Sequence, residues 1–201
     1  MTGPQVGTAP RRGRPGHDLE TVLAASVEVF NERGFDGTSI DDLAKRLRIT
    51  KSAIYHHIQS KDALLGLALD RALTGLEQVA AEVALLDGAA VQRLEALVRS
   101  SVRMLVEQLP YVTLLLRVRG NSDVERRALA RRRRLDNLAA ALVAQAIEEG
   151  DLRGDLDPAL TARLIFGTVN SLTEWLKPSR GQDAAALSEA VGTAIFRGLR
   201  T

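Results

Sequence analysis

The stretch Ile49–Leu65, ITKSAIYHHIQSKDALL, holds two of the chain's three histidines side by side, with Tyr55 just before them and lysines on both flanks. Its surroundings are basic: from Leu43 to Lys61 there are five lysines and arginines (Lys45, Arg46, Arg48, Lys51, Lys61) and no acid. A metal site, a catalytic site, a plain helix surface and an anion-gripping surface all compete for these residues. Two metal ligands on one helix share a face only at a spacing of three or four. His56 and His57 are adjacent, about 100° apart around the axis, and no cysteine or suitably spaced carboxylate joins them; no metal is expected. A catalytic histidine needs an orienting acid and a nucleophile, and the basic surroundings disfavour that reading. A helix that enters the major groove of DNA needs small or polar residues at its N-terminal end and donors for phosphate. Lys51, Ser52, Ala53, Tyr55 and His56 supply these in the first two turns of a short helix capped by Thr50. Leu43, Ala44, Leu47, Ile49, Ile54 and Ile58 form an apolar seam that locks this helix to the preceding one across a tight turn at Arg48-Ile49. The pattern predicts a helix-turn-helix.

Working outward, helical periodicity dominates and no strand alternation competes with it. Residues 1–16 are rich in Gly and Pro and poor in apolar side chains, which reads as a disordered basic arm. A first helix carries Leu19, Val22, Leu23, Val27 and Phe30 on one face and stops at Gly34. Thr38 or Ser39 caps the second, with Asp41 and Asp42 in the first turn, where the helix dipole favours acids. Ser60 caps a fourth helix that reaches Asp87-Gly88. A fifth ends at Pro110, which opens a short sixth stopped by Gly120. Ser122 caps a long seventh to about Glu149. Asp157-Pro158 starts the eighth as N-cap and first-turn proline, which runs to Lys177, and a ninth spans about Asp183 to Leu199. The expectation is an all-α chain of about nine helices: arm 1–16, a three-helix DNA-binding head over 17–62, and a helical bundle over 63–201.

The 201 residues, 45% hydrophobic and 26% charged, have the composition of a globular protein. Absence of cysteine excludes disulfides and thiolate zinc sites. No apolar run is long enough to cross a bilayer, and the N-terminus lacks the apolar core of a secretory signal. A cytoplasmic protein without membrane partners is expected. Net charge is only +2, so the local distribution of basic residues, rather than a global field, carries the nucleic-acid reading. No nucleophile, base and orienter constellation of an enzyme is apparent, and no cofactor is implied.

The segment GFDGTSIDDLAKRLRITKSAIYHHIQSKDALL resembles the DNA-binding head of the TetR family of bacterial repressors. Gly34-Phe35, Thr38, Leu43-Ala44, Tyr55, His57 and Ser60-Lys61 carry the match, which covers roughly Leu19 to Leu69. The resemblance implies a homodimer on a palindromic DNA operator. By it, Thr38 or Ser39 contacts phosphate from the start of helix two, Lys51, Ser52, Ala53, Tyr55 and His56 face bases or adjacent phosphates, and His57 and Lys61 clamp the backbone; Thr50 and Arg48 border this surface. Two positions depart from the family pattern: Arg48 stands where the turn usually has Gly, and Ile58 replaces a usual Phe. In the arm, Arg11, Arg12 and Arg14 lie in RRGRPG, which resembles the core of minor-groove AT-hooks; Arg12 and Arg14 suit a narrow A·T-rich groove, and a plain basic tail is the competing reading.

The body carries eight arginines between Arg117 and Arg134. Turned at 100° per residue, they scatter around the seventh helix. Its apolar face is Val124, Ala128, Leu135, Leu138 and Leu142; Arg127, Arg132 and Arg134 flank it, and Arg131 falls about 40° from its centre. A charge there must be paired, for example with Glu95 or Glu107, or must meet an anion. LLLRVRGNSDVERRALARRRRLD with LIFGTVNSLTEWLKP resembles the effector domains of acyl-CoA-responsive TetR regulators of phenylacetate and fatty-acid degradation. That implies a small-molecule effector, an acyl-CoA thioester, held by Arg131 with Arg117 or Arg127, with Asn170 and Trp175 beside it. A non-CoA apolar ligand controlling an efflux or catabolic operon, and an architectural DNA-binding protein without effector, are the alternatives. The resemblance also implies dimerisation through helices eight and nine, where Leu164, Ile165, Thr168, Leu172, Trp175 and Leu176, and Leu187, Val191, Ala194 and Ile195, recur with helical spacing.

Overall fold

The computed structural model describes residues 18–177 and 183–199. Among them are nine α-helices and no β-strand: α1 (Leu19–Arg33), α2 (Ile40–Leu47), α3 (Lys51–His57), α4 (Lys61–Ala84), α5 (Ala90–Glu107), α6 (Leu109–Arg117), α7 (Asp123–Glu148), α8 (Pro158–Trp175) and α9 (Ala184–Leu199). Short polar side chains set most of the starts. Asp18, Ser39, Thr50, Ser60, Ser122 and Asp157 each accept a hydrogen bond from a backbone N–H in the first turn, each such cap contributing about 1 kcal/mol. At α2 the cap is reciprocal: Asp42 returns a bond to the Ser39 amide, and these Ser39 bonds hold the Asp42 carboxyl below the usual carboxylate range.

α1–α3 and the first turns of α4 make the head. Val22, Val27, Phe30, Leu43, Ile54, Leu64 and Leu65 are all buried there, each large side chain contributing about 1.5–3 kcal/mol by leaving water. α5 is the axis of the body and touches α4, α6, α7, α8 and α9. It lies close against α4: a Cβ on Gly75 would come within 3.2 Å of the Met104 side chain. Head and body share one apolar cluster, and polar contacts also join them. Asn31 donates to the Pro110 carbonyl at 2.8 Å, and Arg117 donates to the Asn31 carbonyl. Arg71 of α4 pairs with Glu20 of α1, donates to Gln108 at 3.1 Å and stacks on the Tyr111 ring at 4.5 Å.

The turn between α6 and α7 is organised by a buried acid. Glu125 is 4% exposed, and one of its oxygens accepts from the amides of Arg119, Gly120 and Asn121 at 3.0, 2.7 and 2.9 Å. Gly120, at φ +92°, supplies the left-handed residue this loop requires. Replacing Glu125 by Ala strands these donors, so Glu125→Ala is expected to lower unfolding free energy by about 2–4 kcal/mol, read from urea denaturation; a loss below 0.5 kcal/mol would show that solvent satisfies the loop instead.

Candidate nucleic-acid interface and effector cavity

The turn before α3 adopts the geometry that the sequence left open. Arg48 is left-handed, φ 55° and ψ 41°, and its amide donates back to the α2 carbonyls of Ala44 and Lys45. Arginine is strained there by about 1–2 kcal/mol relative to glycine, and the turn persists because Leu43, Leu47 and Ile54 are buried on either side of it. This fixes α3 with its N-terminal half outward. Lys51, Ser52 and His56 are exposed, Tyr55 is 51% exposed, and Ala53 and His57 are half-buried. Lys51 reaches back to Asp41 at 2.7 Å, the Ser52 and Thr50 hydroxyls are 3.0 Å apart, and the rings of His56 and His57 meet edge-on at 5.4 Å. No group of three metal-ligating side chains occurs among the described residues.

Two of the expected phosphate contacts are spent inside the protein. Thr38 is 2% exposed and donates its hydroxyl to the Gly34 carbonyl at 2.7 Å; the N-cap of α2 is Ser39 alone. Lys61 points inward. Its Nζ donates to the carbonyls of Phe35 at 2.8 Å and Thr38 at 2.9 Å, and lies 4.2 Å from the centre of the Phe35 ring. It therefore ties the α1–α2 loop to the start of α4 and has little left for a phosphate. Arg12 and Arg14 lie outside the described residues.

The body contains a cavity in two compartments. The inner one, about 60 Å³, is apolar: Leu76 and Ala80 of α4, Leu97 and Leu105 of α5, Val112, Leu115 and Leu116 of α6, Leu135 and Leu138 of α7, and Val169 of α8, with the Ser101 side chain among them. The outer one, about 330 Å³, lies between α7 and α8 and is lined by Asn137, Ala140, Ala159, Ala162, Arg163 and Gly167. Arg132, Asp136, Phe166 and Asn170 border both compartments and form the passage between them.

Only Asn170 among the expected ligand contacts borders this space. Arg131 turns the other way, onto α4: its Nε and a terminal nitrogen meet both oxygens of Glu77 at 2.9 and 2.7 Å, and it also pairs with Asp70. Neither Glu95 nor Glu107 is its partner, and no charge remains for a ligand. The Glu77 carboxyl is held below its usual range chiefly by the hydrogen bond from Arg131. Arg117 is committed to α1, Arg127 is exposed on another face, and Trp175 is 52% exposed on the outside of α8. Arg132 and Arg163 line this space and were not among the expected residues; the legible signal was that Arg132 flanks the apolar face of α7, the edge that meets α8.

α8 has two apolar faces where the sequence pattern suggested one. Ile165, Leu172 and Leu176 are buried inside the body, whereas Leu160, Leu164 (63% exposed), Thr168, Ser171 and Trp175 form a stripe on the surface. On α9, Leu187, Val191 and Ile195 pack against the core, and Ala186, Ala190 and Ala194 are outside.

Comparisons with known proteins agree with this architecture. The model for bacterial regulatory proteins of the tetR family matches residues 22–68, and that for the tetracyclin repressor-like C-terminal domain matches residues 87–199. The chain is similar to the crystal structure of SCO3833, a TetR family member from Streptomyces coelicolor A3, at 47% identity over 91% of this chain and 92% of that one, TM-score 0.84. It is similar to AibR, solved in complex with isovaleryl coenzyme A and operator DNA, at 25% identity over 88% and 97% of the two chains, TM-score 0.73. The fatty acid metabolism regulator protein of Bacillus subtilis (strain 168) is 22% identical over 182 residues, 89% of this chain and 93% of that protein.

Geometry separates the residues exposed on α3 from those that hold the head together. Tyr55→Ala is expected to weaken binding to a duplex selected from random-sequence pools by about 1–3 kcal/mol with an unchanged melting temperature. Lys61→Met should instead lower the melting temperature. If anisotropy shows that Lys61→Met binds weakly while keeping wild-type stability, the lysine serves DNA after all.

Proposed function

The chain belongs to the TetR family of bacterial regulators, and we propose that it is a dimeric repressor that leaves a palindromic operator when an acyl-CoA thioester, such as phenylacetyl-CoA, enters the body cavity. The family is one of DNA-binding regulators, not enzymes. The observation that carries the effector reading is that α4 belongs to both parts of the molecule: Leu64 and Leu65 are buried in the head, while Leu76 and Ala80 wall the cavity. A ligand that prefers one position of α4 biases the position of the head, and only that difference in affinity can shift the equilibrium.

Ser39, Thr50, Lys51, Ser52, Ala53, Tyr55 and His56 make the DNA surface, with His57 and Arg48 at its border and Arg12 and Arg14 of the arm beside it. The exposed α8 stripe, Leu160, Leu164, Thr168, Ser171 and Trp175, meets its copy in a second subunit together with the outer alanines of α9. Three large exposed apolar side chains, Leu160, Leu164 and Trp175, on one stripe with the small Thr168 and Ser171 are more than the isolated exposed leucines that any surface carries, and the pairing sets the distance between two recognition helices. The thioester class draws its support from two relatives: one regulates fatty acid metabolism, and one was solved with isovaleryl coenzyme A.

Titrating the protein–duplex complex with CoA thioesters, phenylacetyl-CoA included, and with non-CoA apolar ligands tests this. Release by a thioester at micromolar concentration is expected; release by an apolar non-CoA ligand alone would leave the repressor and replace the effector class. Arg131→Met should cost about 1–3 kcal/mol of stability, between the values for exposed and buried ion pairs, and leave direct thioester affinity unchanged. A large loss of affinity with no loss of stability would return Arg131 to the ligand.

A further inference from the structure

The two compartments differ in a way that assigns the two ends of the effector. Arg132 at the passage and Arg163 on the outer wall make no hydrogen bond or ion pair with any described residue. Arg131 is matched by Glu77 and Asp70, and Arg99 by Glu95 and Glu189. Asp136 is the single carboxylate bordering the passage, so the outer compartment carries a net charge of +1 from Arg132, Arg163 and Asp136. Arg132 is half-buried and Arg163 is exposed; a half-buried guanidinium without a partner is costly, and with a second cation beside the same space it favours an anion with several acceptor oxygens, which arginine binds in bidentate fashion. The side-chain amides of Asn137 and Asn170 add donors and acceptors on the same walls.

The inner compartment limits what can accompany that anion. Its 60 Å³ holds about four to six water-sized groups at 10–15 Å³ each. The outer space, 330 Å³, is several times larger. Most of the ligand therefore lies outside the apolar chamber, and only a short tail enters it past Phe166 to reach Leu76 and Ala80 on α4.

We propose that the α7–α8 cleft is an anion-reading port in which Arg132 and Arg163 hold the phosphate or carboxylate end of an amphipathic effector, with a tail of about four to six carbons in the inner chamber. The proposal rests on the effector reading above and specifies its site. The phosphates of a CoA thioester and the carboxylate of a free acid share this chemistry, and the test separates them.

Calorimetric titration of the full-length protein uses butyryl-CoA, hexanoyl-CoA, palmitoyl-CoA, free CoA, hexanoate and hexanol. It is repeated with Arg132→Gln and Arg163→Gln, whose unchanged binding to the selected duplex reports an intact fold. Hexanoyl-CoA is expected to bind wild type at least tenfold tighter than palmitoyl-CoA, and each substitution should weaken it tenfold or more. If hexanoyl-CoA binds wild type and both variants alike, the port is wrong and the CoA reading stands. If no thioester binds but hexanoate does, and loses affinity in both variants, the port stands and the CoA reading falls. Hexanol binding as tightly as the anions, palmitoyl-CoA binding as tightly as hexanoyl-CoA, or no binding by any of these probes would overturn the proposal.

Discussion

The structure depends on one constraint: α4 must satisfy two cores at once. Its 24 residues, about 36 Å at 1.5 Å per residue, bury Leu64 and Leu65 against the head, Leu69, Ala72 and Leu73 at the junction, and Val79 and Val83 in the body. A close-packed interior resists continuous deformation, so the helix moves as a unit or not at all. The ion pairs of Arg131 with Asp70 and Glu77 fasten its middle to α7, which also borders the cavity. Arg131 and Arg132 are neighbours in sequence yet face different partners. One fastens α4 and the next lines the cavity, so under the proposed effector mechanism a shift of α7 would reach α4 directly.

The head shows the opposite arrangement, with few groups left to spare. Within α2–α3 the strained Arg48, the capping box of Ser39 and Asp42, and the buried Thr38 all act on backbone geometry. Lys61 closes the same unit by holding two carbonyls of the α1–α2 loop. A lysine whose ammonium satisfies two backbone acceptors over an aromatic ring is held by hydrogen bonding and cation–π attraction together. Moving it to a phosphate would strand both carbonyls. The exposed face of α3 is thus presented by a frame whose own polar groups are already satisfied, which is the condition for reading base edges with fixed side chains.

Much of this was legible in the sequence because the signals are local. Capping residues, prolines and apolar spacing put seven of the nine helix starts within one residue, and the seam Leu43, Leu47, Ile54 located the short helix α3 against α2. What was not legible depends on where a side chain turns once it leaves its helix. The periodicity of α7 brought Arg131 to within about 40° of the apolar centre but carried no information about α4, whose Glu77 lies 54 residues earlier. Lys61 reads as a basic residue next to a basic helix, and only the fold brings the Phe35 and Thr38 carbonyls to it. α8 reads as one apolar surface because a wide stripe looks the same whether it meets the core on one side or on two.

The eight arginines between Arg117 and Arg134 show how a charge run acquires meaning only through rotation. Arg117 is bound to a carbonyl of α1, Arg126 to Asp123 and the Gly120 carbonyl, and Arg131 to two carboxylates of α4. Arg119, Arg127, Arg133 and Arg134 are exposed, where water screens them. Arg132 is neither screened nor matched: it is half-buried beside an apolar chamber. Its i+4 neighbour Asp136 is at the ordinary helical ion-pair spacing, yet the two form no ion pair and both border the passage instead. A cation that leaves the nearest carboxylate unused at the mouth of an apolar pocket keeps a charge available for whatever enters. The same residue type one position earlier has none to offer.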